Sequence, residues 1–210
     1  MQKKGINILF IYPNTFGMNM LPPAIAMFTA ILTKEGHNID IFDTTYYSVD
    51  HGIDSDGSKM EKLNVVPYSM ESKGIRLKNS DWKKDIKDKV NKFKPDLIAI
   101  SSTEDMWELA MRVLSEVEEY KLKHKVPVIA GGVFPTFAPE IGIKDKLVDI
   151  VCVGEGENAL IDLCKKIKNK ENNDDVTNYW CKTIGPEYIK NRNIMKKKPI
   201  FMKRIENIYW

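Results

Sequence analysis

A chain of 210 residues is long enough for one full hydrophobic core and short for two comfortable domains. Its 32 basic and 29 acidic residues leave a formal charge of +3, which argues against a polyanion-binding surface and so against nucleic acid as a partner. Three cysteines (Cys152, Cys164 and Cys181) are odd in number and match no metal-ligand spacing, no apolar run nears the ~20 residues of a membrane span, and the chain opens on a strand pattern, so the expectation is a soluble, cytoplasmic protein.

The first element is a nearly continuous apolar run over residues 6–12 (INILFIY), the pattern of a strand buried on both faces, ended by Pro13 and Asn14. Pro22 and Pro23 suit a helix start, residues 24–34 carry apolar side chains at helical spacing, and Gly36 supplies a stop. A second strand over residues 38–42 ends at Asp43-Thr44-Thr45. Residues 46–80 mix Gly52, Gly57 and Pro67 with polar and aromatic residues without a period, as in a long functional loop or lid.

The rhythm then resumes. A lysine-rich amphipathic helix over residues 82–93 leads through Pro95-Asp96 to a third strand, 97–100, which ends in Ser101-Ser102-Thr103. The pattern predicts one helix from about residue 104 to 123, a fourth strand over 126–130, a helical or turn segment near 138–146, a fifth strand over 148–153 and a last helix over 157–168. Alternating strands and helices predict an α/β, flavodoxin-like or Rossmann-like doubly wound sheet of five parallel strands in the order 2-1-3-4-5, covered on both faces. Residues 1–172 form the expected domain. In the remainder, 173–210, aromatic arms flank Gly185-Pro186 as in a hairpin, and a basic stretch between Lys182 and Glu206 holds eight Lys or Arg against two Glu, as in a linker.

In such a fold the ligand crevice lies outside the carboxyl ends of the strands. Those ends carry Tyr12-Pro13-Asn14, Thr44, Ser101-Ser102-Thr103, Gly131-Gly132-Val133-Phe134-Pro135-Thr136 and Gly154-Glu155-Gly156-Glu157. They are mostly small, hydroxylic or backbone-exposing, which suits holding a bulky ligand better than acid–base catalysis, and no nucleophile–base pair stands among them. Neither a dinucleotide fingerprint nor a phosphate-binding Gly-Lys-Ser/Thr loop is present. The second glycine run also has a plain structural role: two glycines permit a tight turn, and Glu155 and Glu157 favour a helix N-terminus.

Five short motifs in chain order resemble the N-terminal cobalamin-binding domain of cobalamin-dependent radical S-adenosylmethionine enzymes. They are Tyr12-Pro13, Gly36-His37, Lys94-Pro95-Asp96, Gly131-Gly132-Val133-Phe134-Pro135-Thr136 and Gly154-Glu155-Gly156-Glu157. The resemblance spans residues 6 to about 168 and implies a cobalamin whose nucleotide tail threads between sheet and helices, with bare backbone at Gly131 and Gly132 and polar contacts from Ser101, Ser102 and Thr103. Tyr12, Pro13, Asn14, Thr44, Val133, Pro135, Thr136, Gly154, Glu155 and Gly156 complete the expected cofactor-binding set. The loop after the first strand, Asn14-Thr15-Phe16-Gly17-Met18-Asn19, has no histidine to ligate cobalt, so the implied state has the lower base detached and no protein imidazole in its place. Phe134 stands where the family commonly has histidine.

A radical S-adenosylmethionine cluster needs a Cys-x-x-x-Cys-x-x-Cys loop, and the three cysteines do not form one. The resemblance therefore implies a cofactor-binding module of a methyltransferase or ring-rearranging enzyme, without an iron–sulfur cluster or independent catalytic power, whose catalytic domain is missing or separately encoded. The alternatives are a stand-alone corrinoid carrier or sensor, and a flavodoxin-like interaction module with no cofactor.

Overall fold

A computed structural model describes residues 5–15, 22–49, 72, 74, 76–171, 179–182 and 188–190. Five strands form the parallel part of one sheet: β1 (Asn7–Tyr12), β2 (Asn38–Asp43), β3 (Leu97–Ser101), β4 (Val128–Gly131) and β5 (Ile150–Cys152). Their order is 2-1-3-4-5, as the alternation of elements predicts. Two further strands, β6 (Tyr179–Lys182) and β7 (Tyr188–Lys190), form the predicted hairpin, whose turn lies outside the described residues. The hairpin does not stand apart. β6 pairs antiparallel with β5, Cys152 opposite Tyr179, and carries the sheet to seven strands.

The helices are α1 (Pro23–Lys34), α2 (Trp82–Phe93), α3 (Trp107–Ser115), α4 (Glu118–His124), α5 (Val133–Phe137), α6 (Pro139–Lys144) and α7 (Glu157–Asn169). The single helix expected over 104–123 is two. Its first turn is absent because Met106 is the N-cap, and Glu116 and Val117 separate α3 from α4, with Val117 buried in the core instead of continuing the helical register. The strand expected from residue 126 begins at Val128, since Pro127 offers no N–H to a ladder; its carbonyl instead accepts from the Ile98 N–H.

Alternation along the strands divides the core between two faces. Leu9, Ile11, Ile98, Ile100, Val128, Ala130 and Val151 pack with Trp82, Ile86 and Val90 of α2 and Leu109, Ala110 and Val113 of α3. Ile8, Phe10, Ala99, Ile129, Ile150 and Cys152 face the other way, toward α1, α7 and the inner side of β6. Trp82, Ile86 and Val90 recur every four residues, so α2 buries one stripe; Asp81 caps it by accepting from the Lys83 N–H at 2.9 Å.

The long segment after β2 leaves and returns at one place. Tyr47 forms a parallel bridge with Lys78, and its hydroxyl donates to Asp85 at 2.8 Å. Burial and that carboxylate push the Tyr47 phenol up to about 12, so it remains a donor. The middle of the segment, and with it the expected lid, lies outside the described residues. Among the described residues no helix is long and apolar enough to cross a membrane.

Candidate functional site

Parallel register brings the carboxyl ends of β1 to β5 to one edge. Tyr12 lies beside Asp43, Ile11 beside Ile100, Ser101 beside Gly131, and Ala130 beside Val151. The sequence-predicted residues therefore share a rim, but they divide sharply in what they do there.

On the β1–β2 side the polar groups hold one another. The Asn14 N–H donates to Thr44 Oγ1 at 2.7 Å, and the Thr44 hydroxyl donates to the Asn14 carbonyl at 2.7 Å. Asn14 Nδ2 donates to Thr45 Oγ1 at 2.9 Å, and Thr45 donates from N–H and hydroxyl to Asp43 Oδ1. Asn14, Thr15, Thr44 and Thr45 are all buried. Pro13 is buried as well, while Tyr12 is partly exposed, with burial and the Asp43 carboxylate raising its phenol above the ordinary value. The functional groups of Asn14 and Thr44 fix the loop to the end of β2. The loop's next residues, 16–21, lie outside the described residues.

The β3–β5 side opens instead into a cavity of about 760 Å³, within the size range of small-molecule sites. It descends between the sheet face bearing Phe10, Ala99, Ile129 and Cys152 and the helices α1 and α7, with Met27, Phe28 and Ile31 opposite. Of the sequence-predicted set, Ser101, Gly131, Gly132, Gly154, Glu155 and Gly156 line it. Tyr12, Pro13, Asn14, Thr44, Ser102, Thr103, Val133, Pro135 and Thr136 do not. Ser102 is buried with its hydroxyl on the Thr103 carbonyl at 2.8 Å, Thr103 is exposed, and Pro135 is buried within α5.

The two adjacent glycines do different work. Gly132 has φ +100°, and a Cβ there would stand 2.7 Å from the Ser102 carbonyl oxygen and 2.8 Å from its nitrogen. Glycine is required at that position by the protein itself. At Gly131 a Cβ would meet the Cys152 Cβ at 3.7 Å and the Ile100 carbonyl oxygen at 3.9 Å, both ordinary contacts, so bareness there keeps space open in the cavity. Gly156 sits under Phe28, whose ring edge would lie 3.1 Å from an added Cβ, and Phe28 stacks on Phe10 with centroids 6.1 Å apart.

Thr136 ties the two glycine loops together. Its hydroxyl donates to the Gly132 carbonyl at 2.7 Å and accepts from the Gly154 N–H at 3.1 Å. The second loop does start a helix: Gly156 is the N-cap of α7 and Glu157, buried, its first residue, yet both also face the cavity. Phe134 packs at a tilt against Trp107, centroids 4.8 Å apart, an apolar contact in place of the polar one that a histidine offers.

Sequence reasoning missed the cavity's apolar wall and its β6 member, Tyr179. Phe10, Ala99 and Ile129 are indistinguishable by pattern from other core positions, and the β5–β6 pairing that brings in Tyr179 is long-range. Cys152 and Cys164 are buried, and desolvation pushes each thiol up to about 12, so both are protonated packing groups. The two histidines within the described residues lie away from the rim. His37 precedes β2 at the opposite sheet edge, where its Nδ1 accepts from the Ile6 N–H at 3.2 Å, and His124 ends α4 against Tyr120.

An apolar slot thus runs from a glycine at a strand end down to a sheet face. Residues 62–163 match the B12 binding domain family. Solved structures that share this fold over most of the chain include two cobalamin-containing enzymes. One is the radical S-adenosylmethionine methyltransferase TsrM from Kitasatospora setae with cobalamin and a [4Fe-4S] cluster bound, at a TM-score of 0.66 and 15% identity over 89% of this chain. The other is the cobalamin-dependent S-adenosylmethionine radical enzyme OxsB with aqua-cobalamin and S-adenosylmethionine bound, at a TM-score of 0.65 and 16% identity over 90% of this chain. The chain spans 31% of the TsrM chain and 22% of the OxsB chain. No curated protein matches it in sequence. The resemblance carried by the five motifs is thus borne out: the chain is similar to the B12-binding modules of radical S-adenosylmethionine enzymes. The family match begins after β2, so the first strand, α1 and β2 are likened to those modules by fold alone.

Proposed function

We propose that this chain binds cobalamin with its lower base detached, the nucleotide tail lying in the slot between the sheet and helices α1 and α7. The single observation that carries the reading is the slot itself: its apolar walls and its bare strand end at Gly131 fit a flat heteroaromatic tail. Ser101 and the backbone of Gly131, Gly132 and Gly154 supply polar contacts near the mouth for ribose or phosphate. Beside it, Val133 and Phe137 of α5 and Ile141 of α6 are 60%, 84% and 59% exposed, an apolar shelf on which a corrin rim or a partner domain can rest.

Bound, the cofactor supplies a cobalt centre for methyl or electron transfer, and the protein's part is to hold and orient it. The loop from Asn14, pinned to Thr44 and Thr45, presents no imidazole, and neither His37 nor His124 reaches this edge. None of the described histidines stands where it could ligate cobalt, which supports a cofactor held without a protein imidazole. The module serves a radical S-adenosylmethionine methyltransferase or related enzyme whose catalytic domain lies outside this chain, and that domain is its partner.

Electron paramagnetic resonance of protein incubated with cob(II)alamin tests this state. The expected spectrum is that of bound cob(II)alamin with each cobalt line unsplit by an axial nitrogen. Nitrogen splitting that survives in bound cofactor overturns the detached, imidazole-free reading.

A further inference from the structure

Glu157 is a carboxylate at a position that the helix pattern reserves for an apolar side chain. Leu160 and Cys164 follow it at i+3 and i+7, both buried toward the sheet, so Glu157 heads the inward stripe of α7. It is 5% exposed and lines the slot together with Leu160 and Cys152. Burial, and after it the Glu157 charge, push the Cys152 thiol up to about 12, which sets the carboxylate near the end of β5. Among the described residues none gives it a hydrogen bond or an ion pair, yet its oxygens, unlike the sealed Tyr179 hydroxyl, keep accessible surface.

A capping role does not account for this placement. A glutamate at the start of a helix gains from the dipole without being buried, and Glu155, exposed just before the N-cap, stands at the same helix end. A carboxylate drawn out of water against apolar walls is costly unless a donor meets it, and Phe28 and Leu160 supply none. The donor therefore comes from what fills the slot. A phosphate would meet a like charge there, and an apolar ring would leave the carboxylate unmet. A neutral hydroxyl satisfies it, and a nucleotide tail carries hydroxyls on its ribose, between phosphate and base.

Resting on the cobalamin reading above, we infer that Glu157 accepts a hydrogen bond from a ribose hydroxyl of the nucleotide tail. The sugar is thereby held at the start of α7. The base is left to the apolar walls at Phe10, Ala99 and Ile129, and the phosphate to Ser101 and the glycine loops.

The test compares wild type with Glu157→Gln, of the same shape, and Glu157→Met, which removes the carboxylate oxygens. Each is titrated with hydroxocobalamin and with diaquacobinamide, which keeps the corrin and its amide side chains but has neither ribose nor base. Hydroxocobalamin is expected to bind Glu157→Gln about 5-fold more weakly and Glu157→Met about 10- to 100-fold more weakly, the range of one charge-assisted hydrogen bond. Diaquacobinamide is expected to bind all three proteins alike. A purely structural Glu157, or one that contacts a corrin amide, would weaken both corrinoids together, and that result overturns the inference while leaving the cobalamin reading in place. So does hydroxocobalamin affinity that is unchanged in both variants. If Glu157→Met fails to fold, Glu157→Gln decides on the same comparison; loss of the fold in Glu157→Gln overturns the inference, since the carboxylate then has a structural partner. If wild type binds neither corrinoid, the inference and the cobalamin reading fall together.

Discussion

The two halves of the rim use the same residue types to opposite ends. Around Asn14 and Thr44, hydroxyl, amide and backbone groups saturate one another, and the loop is held with little left to offer a ligand. Around Gly131, side chains are absent at the strand end and the walls are apolar. Polar residues at a strand end are therefore poor markers of a binding site when they are near enough to pair. The better marker is the space left unfilled.

The sharpest way to break that contrast is to fill the space. Gly131→Leu should fold, because its Cβ is accommodated beside Cys152, yet lose about 100-fold or more in cobalamin affinity, equivalent to ~3 kcal/mol of overpacking against the ligand. Absorbance titration reads this directly, and unchanged affinity would place the ligand elsewhere. Its neighbour should behave in reverse. Gly132→Ala is expected to cost about 2–3 kcal/mol of stability in urea denaturation, from a left-handed backbone and a clash with Ser102 in the protein alone.

On the saturated side the expected effects are on folding and smaller. Thr44→Val keeps the shape of the side chain but leaves the Asn14 N–H and carbonyl without their partner, a loss of about 1–2 kcal/mol in stability, while cobalamin affinity stays as in wild type. A large loss of affinity at unchanged stability would move Thr44 into the binding site.

The smallest effect lies at the far edge of the sheet. Burial, helped by Lys168, lowers the pKa of His37 below its ordinary value, and its Nδ1 must be unprotonated to accept from Ile6. Protons then bind the unfolded chain first, so stability is full above about pH 6.5, declines as the pH falls from there toward the lowered folded value, and levels off beneath it. Urea denaturation across that window should show the decline in wild type and a weaker one in His37→Leu.

Much of this fold was legible from periodicity. The continuous apolar runs marked the parallel strands, and Gly131 and Gly132 marked the strand end that opens into the cavity. Three things were not legible, each for a physical reason. Val117 reads as one more apolar position of a long helix, yet the chain breaks there to bury it between α3 and α4. Asn14 and Thr44 are of types that bind ligands, and only the fold shows that they bind each other. Tyr179 lies in a segment that reads as a hairpin beyond the domain, and its place in the slot depends on antiparallel pairing with β5, which no local pattern encodes.

Gel filtration of the protein after incubation with hydroxocobalamin, followed by the visible spectrum of the protein peak, tests the central claim most directly. Wild type should carry about one corrinoid per chain and Gly131→Leu almost none. Wild-type protein that elutes without colour, or a Gly131→Leu variant that retains as much corrinoid as wild type, contradicts the account.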